Sequence, residues 1–297
     1  MVSGLILLNK KAGITSFEAL GEIKRALGTG KVGHTGTLDK FAQGLLLVLT
    51  GNALKLTPWF SHCDKQYTGR IRFGIETDTL DPEGNVVSEA PFPTREKVEQ
   101  VLAQFTGTIM QEPPAYSAIH INGRRAYELV RSGQAPEMEK RQVIIYKLEL
   151  RSWQPPYAEI FVHCSSGTYI RSLARDIALA AGSRAHIVSL LRTQIAGFTL
   201  DMTGNLLPIP HSPLPINKTI IAALGLPWFE IAPSEAENIH HGKPLAPVLD
   251  GKPLFSQGEP FKEAASDFCA AVFSGETLAA VVEKNGGKWK YRRVVGN

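Results

Sequence analysis

Asp39 is the residue around which a chemistry can be built. It is the only acid between Glu22 and Asp64. It sits in Gly33-His34-Thr35-Gly36-Thr37-Leu38-Asp39-Lys40-Phe41-Ala42-Gln43-Gly44, which packs three glycines, one histidine and one carboxylate into twelve residues. Glycines at that density let a backbone turn sharply and approach a ligand closely. Loops held between rigid elements are where catalytic groups tend to sit. On these residues alone, a surface loop whose aspartate forms a turn is an equal alternative.

Several other chemistries are excluded at once. Gly28-Thr29-Gly30-Lys31-Val32-Gly33 matches GxGxxG, but it follows a helical pattern instead of opening one, and no acid follows Asp39 at the distance a ribose needs. A Walker loop fails because Val32 follows Lys31. Cys63, Cys164 and Cys269 are far apart and odd in number, so they suggest neither a disulfide framework nor a zinc site. The eight histidines contain no HxxxH or Cys-His set, so no metal is expected.

The charge is uneven. Residues 1–75 carry ten Lys/Arg against four Asp/Glu, and residues 76–112 carry two against eight. A basic N-terminal third suits a polyanionic partner. The apolar run Leu5-Ile6-Leu7-Leu8 is too short for a signal peptide, and its lysines follow it. The run Leu45 to Leu49 is far below a membrane span. A cytoplasmic protein is the expectation.

The elements that must hold Asp39 follow from periodicity. Leu5–Asn9 and Gly44–Thr50 read as buried strands. Thr15 and Glu18 form a capping-box pattern, and Phe17, Leu20, Ile23 and Leu27 recur at helical spacing up to Gly28. Residues 66–74, 144–150 and 158–164 alternate as strands. Helices are predicted from near Thr94, over Ala126–Val130 and over Ile170–Ala181. Hairpins with interspersed helices argue an α+β fold with a mixed, largely antiparallel sheet and flanking helices. Four prolines between Thr203 and Ile216 mark a linker, which divides the chain into residues 1–216, linker 203–216 included, and residues 217–297.

The Asp39 stretch resembles the GHxGxLDxxAxG motif of the TruB family of tRNA pseudouridine synthases, with Thr37 and Lys40 where the family usually has Ala and Pro. Other blocks agree in order: Lys10 to Ser16 with KPxGxTS, Asp64 to Tyr67 with DKxY, Thr77 to Asp81 with TDTxD, Pro113 to Ala118 with PPxYSAxK, Gly167 to Arg171 with GTYIR, and Leu190 to Arg192 with LxR. The tail from about Leu226 resembles a PUA domain, a small RNA-binding β-barrel.

The resemblance implies isomerisation of uridine to pseudouridine in the TΨC loop of tRNA, at position 55, with no cofactor. By the resemblance Asp39, Tyr67 and Arg171 are catalytic. His34 helps displace the uridine, Tyr67 stacks on the flipped base, and Leu190 forms the apolar side of the pocket. Tyr169 is a further aromatic candidate for the substrate. Lys10 and Lys65 are candidate phosphate contacts, Lys10 alternatively a brace for the loop. The partner is the T-arm of tRNA, bound by a monomer without membrane contact. Two alternatives stand beside this: a TruB-descended tRNA-binding or tRNA-folding protein without turnover, and a guide-dependent synthase of the box H/ACA type. The first 216 residues are expected to fold and isomerise alone, with weaker tRNA binding. The rival expectation is a tail that completes the first domain's core.

Overall fold

A computed structural model describes residues 3–121, 123–134, 136–203, 212–250, 254–256, 259–260 and 268–295. A nine-stranded sheet forms the body. Its path runs Gly4–Lys10, Gln43–Thr50, Ala185–Ile195, Lys65–Phe73, Tyr157–Cys164, Arg141–Gln154 and Gly107–Gln111, with Val32–His34 and Phe198–Thr199 as side branches. Every pairing is antiparallel except one. Gln43–Thr50 meets Ala185–Ile195 in parallel through two residue pairs, Leu191 with Gln43 and Arg192 with Gly44. That short ladder is the seam between the two halves of the sheet, and the Asp39 loop enters it. Gly44 (φ 110°) is required there, because a Cβ would collide with the backbone of Arg192.

Three helices flank the sheet at Ser16–Leu27, Arg95–Leu102 and Ile170–Ala180. The capping box of Thr15 and Glu18 forms as expected, and Gly28 closes the helix in the left-handed conformation. Phe17 departs from the expected apolar stripe. It is 70% exposed beneath the Lys24 ammonium, and Ser16 takes the buried position instead. The strands Val32–His34, Gly107–Gln111 and Ala185–Ile195 had no clean period-2 signal and went unpredicted.

Of the four linker prolines, Pro208 and Pro210 lie outside the described residues. Downstream of them, Leu214 exchanges two backbone hydrogen bonds with Leu5, each 2.8 Å, so the chain there is pinned to the edge of the first sheet. The tail then builds a six-stranded sheet from Trp228–Glu230, Leu254–Ser256, Glu259–Pro260, Phe268–Ser274, Thr277–Asn285 and Lys288–Val294. Among the described residues its strand order is open, and no pairing closes the barrel that the PUA likeness implies. The sheet is two-faced. Ala270, Val272 and Val282 pack in a cluster of the tail itself. Ala271, Phe273, Leu278 and Val281 join Leu5, Leu7, Leu45, Leu47 and Leu49 of the body in one continuous core.

Candidate active site

The Asp39 loop is held from three directions, none of them through the Asp39 side chain. The buried Ser16 hydroxyl donates to the Leu38 carbonyl at 3.0 Å and accepts from the Leu38 N–H at 2.8 Å. The Lys10 ammonium, 1% exposed, donates to the carbonyls of Ile14 at 2.7 Å, Lys11 at 3.0 Å and Lys40 at 3.4 Å. Arg192, equally buried, donates to Leu45 at 2.7 Å, Gly36 at 3.1 Å and Thr37 at 3.5 Å. Lys40 therefore contributes mainly a carbonyl, which a proline would also supply. Its exposed ammonium reaches Glu83 at 3.6 Å, a contact of little energetic weight.

Thus fixed, Asp39 meets Arg171. Arg171 Nη2 donates to one carboxylate oxygen at 3.0 Å and Nε lies 2.9 Å from the other. Arg171 is 4% exposed and is the second residue of the helix Ile170–Ala180. Its other N–H groups reach the carbonyls of Thr79 at 2.8 Å and Tyr116 at 3.0 Å, and Asp81 at 3.3 Å. A left-handed Leu80 (φ 61°) lets that turn present both Thr79 and Asp81 to the arginine. One guanidinium thus ties two carboxylates.

The Asp39 side chain keeps 34% of its surface, so it faces an opening while its surroundings are packed. Burial pushes its carboxyl above the usual aspartate range. Arg171 opposes that rise, and the nearby Asp81 charge adds to it. The ionised form is lost as pH falls through this raised value. The acidic limb of single-turnover rate against pH should therefore lie above the ordinary aspartate value of about 3.9. Arg171→Met removes the opposing charge, so the limb should move to still higher pH. Rates measured between about pH 5 and 8.5 check this; a limb in the same place in both proteins would refute the pairing's electrostatic role.

Tyr67, 7% exposed, and Leu190, 6% exposed, pack in the same apolar cluster as Leu38, Ala42 and Ile170. Burial pushes the Tyr67 phenol up to about 12, so it is neutral near neutral pH. The Tyr169 backbone is gripped on both sides by the buried Gln111 amide, whose oxygen accepts from the Tyr169 N–H at 2.8 Å and whose nitrogen donates to its carbonyl at 3.0 Å. The Arg141 guanidinium lies 4.7 Å from the centre of the Tyr169 ring. His34 sits at the end of its strand with a buried Nδ1 that has no hydrogen-bond partner. Burial and the Arg192 charge lower its pKa, so it is neutral at physiological pH.

The two lysines need correction as phosphate contacts. Lys10 is committed to three carbonyls. Lys65, 8% exposed, donates to Cys63 at 2.5 Å and Ser61 at 3.1 Å. Burial lowers both to about 8. Each braces backbone because its ammonium must find acceptors once it leaves water. Sequence reasoning assigned no role to Ser16, Asp81 and Arg192, although all three lie in the motif blocks. Gln111 and Arg141 carried no signal.

Residues 24–170 match the description "TruB family pseudouridylate synthase (N terminal domain)". A tRNA pseudouridine synthase B of Bordetella avium is 47% identical over 204 residues, covering 67% of this chain and 84% of that protein. The chain belongs to the TruB family. Another tRNA pseudouridine synthase B, from Borreliella burgdorferi, is 44% identical over 203 residues, covering 67% of this chain and 72% of that protein. The fold extends further than the sequence likeness. Against a chain of a Cbf5-Nop10-Gar1 complex, 99% of this chain and 85% of that one superpose with a TM-score of 0.71 at 23% identity. For this TruB-family chain, among the described residues, no helix is long and apolar enough to cross a membrane. Nor does any group of three or more His, Cys, Asp or Glu there converge on a metal position.

Proposed function

We propose that this chain isomerises uridine 55 in the T loop of tRNA to pseudouridine. The observation that carries the proposal is Asp39, fixed at an opening with both oxygens on a buried arginine. Isomerisation breaks the N-glycosidic bond, turns the uracil and joins C5 to the sugar. No atoms are gained, so the reaction asks only for a carboxylate near C1′ and C2′ and a means of moving one proton. Asp39 supplies the carboxylate, stabilising an oxocarbenium-like state or adding to the sugar as a nucleophile. Tyr67 stacks on the flipped base against Leu190 and takes part in loss of the C5 proton. A flipped uridine costs a few kcal/mol of stacking, and a neutral His34 suits the gap it leaves. Tyr169, with Arg141 over its ring, lines the substrate side.

The tail from residue 217 adds RNA contacts and no catalytic group; Lys288, Lys290, Arg292 and Arg293 on its last strand are its basic face. The protein acts in the cytoplasm as a monomer on the T-arm of tRNA. Identities of 44–47% to tRNA synthases favour this over the guide-dependent alternative, where the likeness is one of fold. Tritium release from C5-labelled uridine in a tRNA transcript tests the proposal. Release that disappears when uridine 55 is replaced by cytidine is expected. Binding without release would leave a tRNA-binding protein without turnover.

A further inference from the structure

Arg192 is more than a strut for the catalytic loop. It stands directly opposite Tyr67 in the antiparallel pairing of Ala185–Ile195 with Lys65–Phe73. Residues opposite each other on such strands point to the same face, with Cβ atoms about 5 Å apart. A guanidinium has five N–H donors. Those of Arg192 reach three carbonyls, Leu45, Gly36 and Thr37, leaving two N–H groups on a side chain that is 1% exposed. Buried donors are seldom left unmatched, and the Tyr67 hydroxyl is the acceptor on the facing strand.

We propose that Arg192 is a positioning residue for loss of the C5 proton. It holds the Tyr67 oxygen by one lone pair, in register with the Asp39 loop, and turns the other lone pair toward C5 of the rejoined base. The proposal rests on the isomerisation proposed above. Once C5 is bonded to C1′, the C5–H electron pair becomes the C5=C6 bond. The former C6=N1 pair moves to N1, which takes up a proton. Tyr67 accepts the C5 proton on its oxygen as its own O–H proton departs, so the relay leaves no net charge. A neutral phenol can do this only if its lone pair is correctly aimed. The Arg192 charge and hydrogen bond also oppose the upward push of burial on that phenol.

The test uses Arg192→Lys and Arg192→Gln in the full chain, with tRNA carrying uridine, 5-deuterouridine or 5-fluorouridine at the target. Fluorine at C5 leaves no proton to remove, so with that substrate only bond breaking and rejoining are read. The expected result is a fall of about 10- to 100-fold in single-turnover rate with uridine, part of what a positioned proton-transfer group contributes. A deuterium isotope effect larger than that of the wild type should accompany it. Rejoining of 5-fluorouracil should change little. Combining Arg192→Lys with Tyr67→Phe should cost no more than Tyr67→Phe alone, because the two act as a unit.

Equal losses with uridine and 5-fluorouridine, an unchanged isotope effect, or additive losses with Tyr67→Phe would overturn the proposal and leave Arg192 a brace for the loop. Failure of both variants to melt cooperatively would overturn it in the same way. An inactive wild type would instead reject the isomerisation itself.

Discussion

Asp39→Asn should lower the rate of pseudouridine formation by at least about three orders of magnitude, the loss expected when a nucleophile or acid–base group is removed. Asparagine keeps the shape and one oxygen for Arg171, but it has neither a charge nor a basic oxygen to offer the sugar. The loop should survive the change, because Ser16, Lys10 and Arg192 hold it through backbone atoms on either side of residue 39. Affinity for tRNA should therefore stay within a few-fold of wild type, and the melt should remain cooperative. Single-turnover kinetics, a filter-binding isotherm and a thermal melt read the three quantities. Activity within tenfold of the unaltered protein would remove Asp39 from the chemistry. A large loss accompanied by a collapsed melt would move it to the frame of the loop.

The elements that the sequence makes legible are those with one dominant period. The helix Ser16–Leu27 has its capping box and its glycine stop, and Lys65–Phe73 alternates between core and partly exposed positions along its length. Ala185–Ile195 was missed because it is buried on both faces for most of its length and bulged twice, so no alternation survives. Yet it is the strand that joins the halves of the sheet and carries Leu190 and Arg192. Of the site, Asp39 stood out by its isolation among neutral and basic residues. Tyr67 and Arg171 emerged from motif resemblance, since a tyrosine in an alternating strand and an arginine at a helix start are commonplace. The hidden part consists of polar side chains that serve backbone. Lys10 and Lys65 look like RNA contacts in a basic segment, and only burial shows that their ammonium groups are spent on carbonyls. Gln111 is illegible for the same reason: its task is to pair with the backbone of Tyr169, 58 residues away.

A chain ending near Ile216 should lose its cooperative melt, although every proposed catalytic residue lies before that point. The sequence expectation was a first domain that folds and works alone. The proposed division still marks where the chemistry ends, but the core crosses it. Leu5, Leu7, Leu45, Leu47 and Leu49 of the first sheet share one cluster with Ile220, Ile221, Trp228, Ala271, Phe273, Leu278 and Val281 of the tail. Fully exposing a side chain of this size costs roughly 1.5–3 kcal/mol. Uncovering three of them would therefore cost roughly 4.5–9 kcal/mol, against a total stability of about 5–15 kcal/mol for a domain. The truncated chain would also present a contiguous leucine face to solvent, which favours association. A melt by circular dichroism, with dye binding to exposed apolar surface, measures this directly. A cooperative transition within a few degrees of the full chain would show that the body closes its core without the tail. A second measurement leaves the chain intact. Phe273 is fully buried on the face of the tail strand that meets the body, remote in sequence from every proposed catalytic group. Phe273→Ala should cost about 3–5 kcal/mol of stability while leaving kcat unchanged below the melt. A loss under about 1 kcal/mol, far below that range, would mean that the tail rests on the body without stabilising it.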